Sequence, residues 1–195
     1  RPNIVFDENQ VCDGCNNSSE KSNFIDWSLR KDKFIELVEV TKNKKCYYDC
    51  IIPVSGGKDS TWQVLTLLEY GLNPLCVTWK TPARNSLGFE NLQNLINLGV
   101  NHIDFSINPK VEKIFHLKSF ERFGIPLIPM HMAMYAISFQ VAINFKIPLI
   151  VWGEDPAYEY GGNINELNDF KLNHEYLKKN GNTNGTTSTD WIDDD

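Results

Sequence analysis

Short apolar runs alternate with amphipathic stretches along most of the chain. A charged helical pattern occupies 164–179, and helical spacing of apolar positions predicts helices over 25–40, 60–70, 88–98, 108–123 and 131–145. The last of these is apolar nearly throughout, which predicts that it is buried. Runs with the length of buried strands occupy 50–54, 75–79, 102–106 and 149–152. Strands that alternate with helices predict a parallel sheet in an α/β fold.

The turn after the first strand reads SGGKDS, residues 55–60. Two adjacent glycines, Gly56 and Gly57, let backbone N–H groups converge on an anion, and the next helix adds the positive end of its dipole. Ser55, Lys58 and Ser60 supply two hydroxyls and a cation. The turn therefore predicts a phosphate site, and the alternative is a glycine-rich turn with an incidental lysine.

This turn does not fit the usual nucleotide loop, G-x-x-x-x-G-K-[ST]. Ile52 occupies the first glycine position and Asp59 follows the lysine. The hexapeptide instead resembles the PP-loop of the ATP pyrophosphatases, which cut ATP between the α and β phosphates. The resemblance implies a Rossmann-like three-layer α/β/α domain of the adenine nucleotide alpha hydrolase type, which we place at residues 46–165.

Further candidates follow the other strands, because ligands of open parallel sheets bind at the carboxyl ends of strands. Trp79, Lys80 and Arg84 come at or after the end of the second strand; core packing for Trp79 and a surface charge for Arg84 are equally good interpretations. Gly153, Glu154 and Asp155 follow the fourth strand. These two carboxylates could hold Mg²⁺, orient an amide substrate or accept protons, and Asp155 could equally be a cap.

Cys12 and Cys15 form a C-x-x-C pair with a tight turn between them, which supplies half of a zinc site. A redox pair and two reduced thiols without a task are the alternatives. Cys46 and Cys50 are expected to pack as small buried hydrophobes. Five cysteines and no secretory segment indicate a reducing compartment, which we take to be the cytoplasm.

Length and composition fit one substantial core with appendages. The chain has 195 residues, 42% of them hydrophobic. Its net charge is -6, so the overall charge of the protein does not attract nucleic acid. No run is long enough to cross a bilayer, so membrane insertion is not expected. The chain starts without methionine and stops at WIDDD, so we expect a fragment. Residues 1–45 and 166–195 flank the ATP-binding domain, and the polar stretch 180–189 is predicted to be flexible.

Longer segments carry a narrower resemblance. RPNIVFDENQVCDGC, YDCIIPVSGGKDSTWQV, YGLNPLCVTWKTPARNSLGFENLQNLINLGVNHIDF and IPLIVWGEDPAYEYGG resemble the N-acetyl sugar amidotransferases, a PP-loop family of bacterial surface-polysaccharide and flagellin-glycan pathways. The similarity covers most of residues 1–179. Family members carry a further C-x-x-C upstream of Arg1, which with Cys12 and Cys15 would complete a four-cysteine zinc ribbon.

The resemblance implies conversion of an acetamido group to an acetamidino group in glycan (lipopolysaccharide or flagellin) biosynthesis. An amide oxygen leaves poorly, so AMP is attached to it first and ammonia then displaces AMP. Lys58, Asp59 and Glu154 are the implied catalytic residues, and Asp59 with Glu154 would hold Mg²⁺. Adenine would lie near Val77, Thr78 and Trp79. Ammonia would come from a glutaminase subunit, with a cyclase-like companion as a further member.

Two rivals remain from the sequence. A PP-loop tRNA-modifying enzyme would adenylate a base oxygen and then add sulfur, and it needs a cysteine near ATP and a basic face. Cys46 and Cys76 are available, but the negative net charge argues against nucleic acid. The other rival is a non-catalytic module that binds ATP.

Overall fold

The computed structural model describes residues 4–23, 25–44, 46–153 and 185–192. Its sheet is parallel, in the order β1-β2-β3, with β1 at Cys50–Pro53, β2 at Pro74–Trp79 and β3 at Asn101–Phe105. Each strand lies within a residue or two of the predicted run. The predicted fourth strand pairs with the outer side of β1 as a parallel bridge between Ile51 and Ile150. Glu154, Asp155 and the predicted helical stretch 164–179 lie outside the described residues.

All five helices that apolar periodicity predicts in the described part of the chain are present. One further helix was not predicted, because its composition is polar. The added helix is α1, Asp13–Asn23, which contains the second cysteine of the C-x-x-C pair. The other five are α2 Trp27–Lys42, α3 Lys58–Glu69, α4 Ser86–Ile96, α5 Pro109–Phe123 and α6 Ile128–Phe145.

Alternating side chains of the strands divide the core into two clusters, one on each face of the sheet. Cys50 and Ile52 of β1 face the cluster that contains Val64 of α3 and Leu92 of α4. Ile51 faces the other cluster, with Val77 of β2 and with Ile137 and Val141 of α6. The fold therefore has helices on both faces of a parallel sheet, and the α/β/α prediction is confirmed.

Helix α2 packs against this core, though by a narrower face than its sequence suggests. Val38 is buried in the α3–α4 cluster, and Phe34 meets Tyr70 edge-on with ring centroids 5.1 Å apart. Trp27 and Leu37, which share the helical spacing of Phe34 and Val38 in the sequence, are exposed.

The prediction that the last helix is buried is correct for one side of the helix and wrong for the other. Helix α6 buries Ile137, Val141 and Ala142 against the sheet, whereas Ile143 and Phe145 are 74% and 52% exposed. An apolar sequence without helical periodicity does not say which sides neighbours will cover. None of the described helices is both long and apolar enough to span a membrane.

The described end of the polar stretch 180–189 is packed rather than loose, which corrects the prediction of flexibility for that part. A 3-10 helix at Ser188–Trp191 starts with a capping box between Thr187 and Asp190. Trp191 packs on Phe115 with ring centroids 4.5 Å apart, and Arg122 donates to the Asp190 carbonyl oxygen at 2.7 Å.

Candidate functional site

The loop between β1 and α3 is shaped by its own serines. Ser60 Oγ donates to the Gly57 carbonyl oxygen at 3.1 Å and accepts the Ser55 N–H at 3.4 Å. Ser55 Oγ accepts the Gly57 N–H at 3.3 Å. Because the Ser60 hydroxyl proton points at Gly57, this side chain braces the loop, and its predicted phosphate contact stays a prediction.

Helix α3 begins at this loop with free backbone donors. No side chain caps it at Gly57. The backbone N–H groups of Lys58, Asp59 and Ser60 have no acceptor among the residues that the structure describes. Unpaired N–H groups and the positive end of the helix dipole together form an anion site.

Gly56 fixes the loop against helix α4. Its φ of 80° lies in the left-handed region, and a Cβ built on it would be 2.7 Å from the Leu92 backbone nitrogen and 2.9 Å from the Leu92 Cα. Backbone at that distance cannot move aside as a side chain can. Glycine is therefore required here both by conformation and by space.

A cavity of about 660 Å³ opens beside this loop at the carboxyl edge of the sheet. One wall comes from the loop and α3, through Ser55, Gly57, Asp59, Ser60 and Gln63. A second comes from the end of β2 and the segment that follows, including Val77, Thr78, Trp79 and Arg84. The third comes from α6 and the end of the bridge strand, including Met130, Met134, Tyr135, Ser138, Trp152 and Gly153. Its size suits a nucleotide or a sugar-sized ligand.

Lys58 and Asp59 form an ion pair at the entrance of α3. Lys58 Nζ lies 2.6 Å from Asp59 Oδ1, and the two side chains are 88% and 76% exposed. Asp59 lines the cavity and Lys58 does not. An exposed pair of this kind adds little to stability, so both side chains can turn toward a charged ligand at small cost.

A hydrogen-bonded chain ties the loop to the sheet. Thr78 Oγ1 donates to the Val54 carbonyl oxygen at 2.6 Å, so it must accept from His102 Nε2, 2.9 Å away. Burial lowers the pKa of His102 below its ordinary value; Asp104 opposes that shift and Arg84 assists it. Neutral His102 with its proton on Nε2 therefore fixes Thr78, and through it the strand end that precedes Ser55.

Arg84 forms an ion pair with Asp104. The guanidinium donates to both carboxylate oxygens of Asp104, at 2.7 and 2.8 Å, and its side chain is 12% exposed. These hydrogen bonds lower the pKa of Asp104 and raise that of Arg84. The pair joins the segment after β2 to β3, so Arg84 shapes the cavity wall while its charge is already neutralised.

Trp79 lines the cavity at the end of β2 and carries an unmet donor. Its Nε1 is buried without a hydrogen-bond partner in the described part of the chain. Its ring lies 6.4 Å from that of His116 of α5, at an interplanar angle of 34°. Trp79 therefore lines the cavity with a buried indole N–H that lacks an acceptor, and packing alone does not explain this arrangement.

None of the five cysteines, all of which lie in the described part of the chain, belongs to the cavity lining. Cys50 and Cys76 are fully buried, and burial raises the pKa of each thiol to about 12. Cys46, predicted to be buried, is partly exposed. The Cys15 N–H donates to Cys12 Sγ at 3.3 Å, which lowers the pKa of Cys12, while Cys15 itself is exposed. Within the described ranges no three His, Cys, Asp or Glu side chains cluster to hold a metal, so zinc at Cys12 and Cys15 stays a prediction.

Most of the predicted site residues that the structure describes meet at the cavity. Those that line it are Ser55, Gly57, Asp59, Ser60, Val77, Thr78, Trp79, Arg84 and Gly153, whereas Lys80 is exposed and does not line it. Gly56 is buried behind the loop and Lys58 lies outside the lining. Gln63 and the α6 residues Met130, Met134, Tyr135 and Ser138 also line the cavity and were not predicted from the sequence. Gln63 follows Asp59 by four residues on a helix, so helical spacing alone could have placed it on the same face.

The sequence matches no family model and no curated protein, whereas the fold matches solved structures. NMN synthetase from Francisella tularensis aligns with a TM-score of 0.50 and 18% identity, over 65% of this chain and 53% of that one. NH3-dependent NAD synthetase from Campylobacter jejuni, in complex with the nitrate ion, aligns with a TM-score of 0.51 and 17% identity, over 68% and 58%. The chain thus spans little more than half the length of these structures. The fold is the Rossmann-like α/β fold of these synthetases, as the SGGKDS loop predicted.

Proposed function

We propose that this chain is the ATP-binding part of an enzyme that adenylates the acetamido oxygen of an N-acetyl sugar and then replaces that oxygen with ammonia. The observation that carries the proposal is the uncapped start of α3, whose free N–H groups at Lys58, Asp59 and Ser60 lie beside a ligand-sized cavity. The longer sequence resemblance to N-acetyl sugar amidotransferases supports the choice of substrate.

In the first step the acetamido oxygen attacks the α-phosphorus of ATP, the bond from that phosphorus to the bridging oxygen breaks, and pyrophosphate leaves. Backbone N–H groups at the start of α3, together with Lys58, stabilise the charge that develops on the departing phosphates. Adenine lies against the end of β2, where Val77, Thr78 and Trp79 form the wall. In the second step ammonia attacks the activated carbon, AMP departs with the former acetamido oxygen, and an acetamidino sugar remains.

Asp59 is the residue that would hold Mg²⁺. It is the only carboxylate among the described residues that line the cavity. One carboxylate fits, because Mg²⁺ in ATP sites is commonly held by one or two carboxylates plus substrate phosphates and water. When bound there, Mg²⁺ would neutralise phosphate charge. The same proposal includes the predicted contact of Glu154 with Mg²⁺.

A separate protein supplies the ammonia in this proposal. Free ammonia is scarce near neutral pH, and no cysteine in the described part of the chain lines the cavity to hydrolyse glutamine there. The partner is a glutaminase subunit, with a cyclase-like companion as an additional member. A structural neighbour whose name states dependence on NH3 supports the choice of nitrogen donor. We place the reaction in the cytoplasm, where ATP is available.

The location of the cysteines disfavours the thiolation rival. Cys76 is fully buried with a thiol pKa raised to about 12, so it is neither accessible nor ionised. Cys46 lies beside the carbonyl oxygen of Lys146, at the carboxyl end of α6, and is not part of the cavity lining. Sulfur transfer at the ATP site would need a thiol that reaches it.

Mass spectrometry of acetamido sugars tests the proposal. Free and nucleotide-linked N-acetyl sugars are incubated with the protein, ATP, Mg²⁺ and ammonium. Replacement of oxygen by NH lowers the sugar's mass by about one dalton, as the displacement chemistry requires. Release of ADP, or of AMP without any change in the sugars, would contradict the proposal.

A further inference from the structure

Gln63 is a buried polar residue whose side chain faces the cavity. It is 8% exposed, on the face of α3 that lines the cavity. Its carboxamide has no hydrogen bond to any other residue in the part of the chain that the structure describes. The amide atoms therefore open onto the cavity, and their two donors and one acceptor are available to whatever the cavity binds.

The backbone at Gly153 makes room for this amide. A Cβ at Gly153 would lie 2.6 Å from Gln63 Oε1, 3.0 Å from its Cδ and 3.2 Å from its Nε2. Every other residue type would push the carboxamide from its present place. The absence of a side chain at Gly153 therefore belongs to the same arrangement as Gln63.

The amide lies within reach of the phosphate site. Gln63 is five residues after Lys58, and at 1.5 Å per residue it lies about 7.5 Å along the axis from the start of α3. At that distance about one phosphate-sized group fits between the Gln63 position and phosphates bound at the N-terminus of the helix. A substrate atom that contacts Gln63 can thus lie next to the innermost phosphate.

The wall beside Gln63 is aromatic. Trp152, the residue before Gly153, lies against Tyr135 with ring centroids 4.5 Å apart and an interplanar angle of 33°. Both rings line the cavity. Aromatic rings that line the cavity next to one open amide suit a compact ligand that has an apolar side and an amide of its own.

We propose that Gln63, in the space left by Gly153, binds the acetamido group of the acceptor, with the Gln63 carboxamide oxygen accepting the acetamido N–H while the rings of Tyr135 and Trp152 contact the sugar. This inference rests on the proposed function and adds the residue that recognises its substrate. When the Gln63 oxygen accepts this hydrogen bond, it orients the acetamido oxygen toward the α-phosphate and increases the electron density on that oxygen. An amino sugar without the acetyl group offers no such amide and is excluded.

Saturation-transfer NMR with two probes tests the assignment. The probes are N-acetyl-D-glucosamine and D-glucosamine, each added with α,β-methylene-ATP, which cannot be cut between its α and β phosphates. The variants are Gln63→Met, which keeps the side chain's length and removes its polar atoms, and Gly153→Ala, which displaces the amide. Gln93→Met, at a partly buried glutamine of α4 outside the cavity, is the matched control.

We expect signal at the acetyl methyl group of N-acetyl-D-glucosamine in the unaltered protein and in Gln93→Met. Affinity should fall about tenfold in Gln63→Met and in Gly153→Ala, the size expected for one hydrogen bond in a buried site, with unchanged affinity for the nucleotide analogue. Equal acetyl binding in Gln63→Met, or no acetyl binding by the unaltered protein, would overturn the assignment. Failure to bind the nucleotide analogue would instead contradict the proposed function, so the two failures are distinguishable.

Discussion

Gly56 lies directly against the backbone of Leu92, so that a Cβ on Gly56 would be 2.7 Å from the Leu92 nitrogen. This approach joins the phosphate loop to helix α4 without any side-chain contact. It also explains why two neighbouring glycines of the loop have different roles. Gly57 has an ordinary φ of -76°, and the nearest atom to its Cβ position is Ser55 Oγ at 3.3 Å.

Gly56→Ala should therefore destabilise the fold far more than Gly57→Ala does. We expect Gly56→Ala to lower the free energy of unfolding by about 2 to 4 kcal/mol, from left-handed strain plus backbone overlap. Gly57→Ala should cost less than about 1 kcal/mol, because only a serine hydroxyl must shift. Urea denaturation of both variants measures the difference. Equal stabilities would show that the contact with Leu92 is not maintained in solution.

Lys58→Ala should remove activity and leave stability unchanged. The side chain is 88% exposed, and its ion pair with Asp59 is at the surface, so folding does not depend on it. Loss of the cation beside the departing phosphates should slow pyrophosphate release by about 10²- to 10³-fold. Lys113→Ala, at an exposed lysine of α5, is the control. Unchanged turnover in Lys58→Ala would remove this lysine from the mechanism.

The stability of the protein should depend on the charge of His102. Its pKa is lowered in the folded protein, chiefly by burial, so at a pH between the two pKa values the unfolded chain binds more protons. The stabilisation is complete above the ordinary pKa of 6.5 and is lost as the pH falls below that value toward the folded pKa. His102→Gln keeps an N–H donor for Thr78 and cannot titrate.

Urea denaturation at several pH values tests this dependence. Between about pH 7 and about pH 5, the free energy of unfolding should fall more steeply in the unaltered protein than in His102→Gln. His131→Gln, at an exposed histidine, should behave like the unaltered protein. Parallel slopes for His102→Gln and the unaltered protein would contradict the partly buried, neutral state of His102.

The five cysteines should react with iodoacetamide in a fixed order. Cys12 should react first among the thiols at neutral pH, because the Cys15 N–H lowers the pKa of Cys12. Cys50 and Cys76 should stay unmodified until the protein unfolds, since burial raises the pKa of each to about 12. Peptide mass spectrometry over time measures the order. Early labelling of Cys76 would contradict the packed core, and protection of Cys12 and Cys15 by added zinc would support the predicted metal site.

Local signals in the sequence were sufficient for much of the fold. Asn108 caps α5, Pro109 begins it, and Gly124 ends it with a φ of 69°, as their chemistry predicts. The loop at residues 55–60 was recognisable for the same reason, because its glycines and serines act within a few residues of one another.

Features that depend on distant packing were not predictable. Nothing in the sequence indicates that Gly153 lies against Gln63, because the two come together only when the bridge strand pairs with β1. The exposure of Ile143 could not be predicted either, since α6 is apolar on all sides and only its neighbours decide which side is covered. Helix α1 was missed because its composition is polar throughout.

The most direct test of the central claim follows one oxygen atom. N-acetyl sugars labelled with ¹⁸O in the acetamido group, free and nucleotide-linked, are incubated with the protein, ATP, Mg²⁺ and ammonium, and the AMP formed is weighed by mass spectrometry. We predict that AMP from the accepted sugar carries the label, because the acetamido oxygen becomes a phosphate oxygen of AMP. Unlabelled AMP, or cleavage of ATP to ADP, would contradict adenylation of the acetamido group.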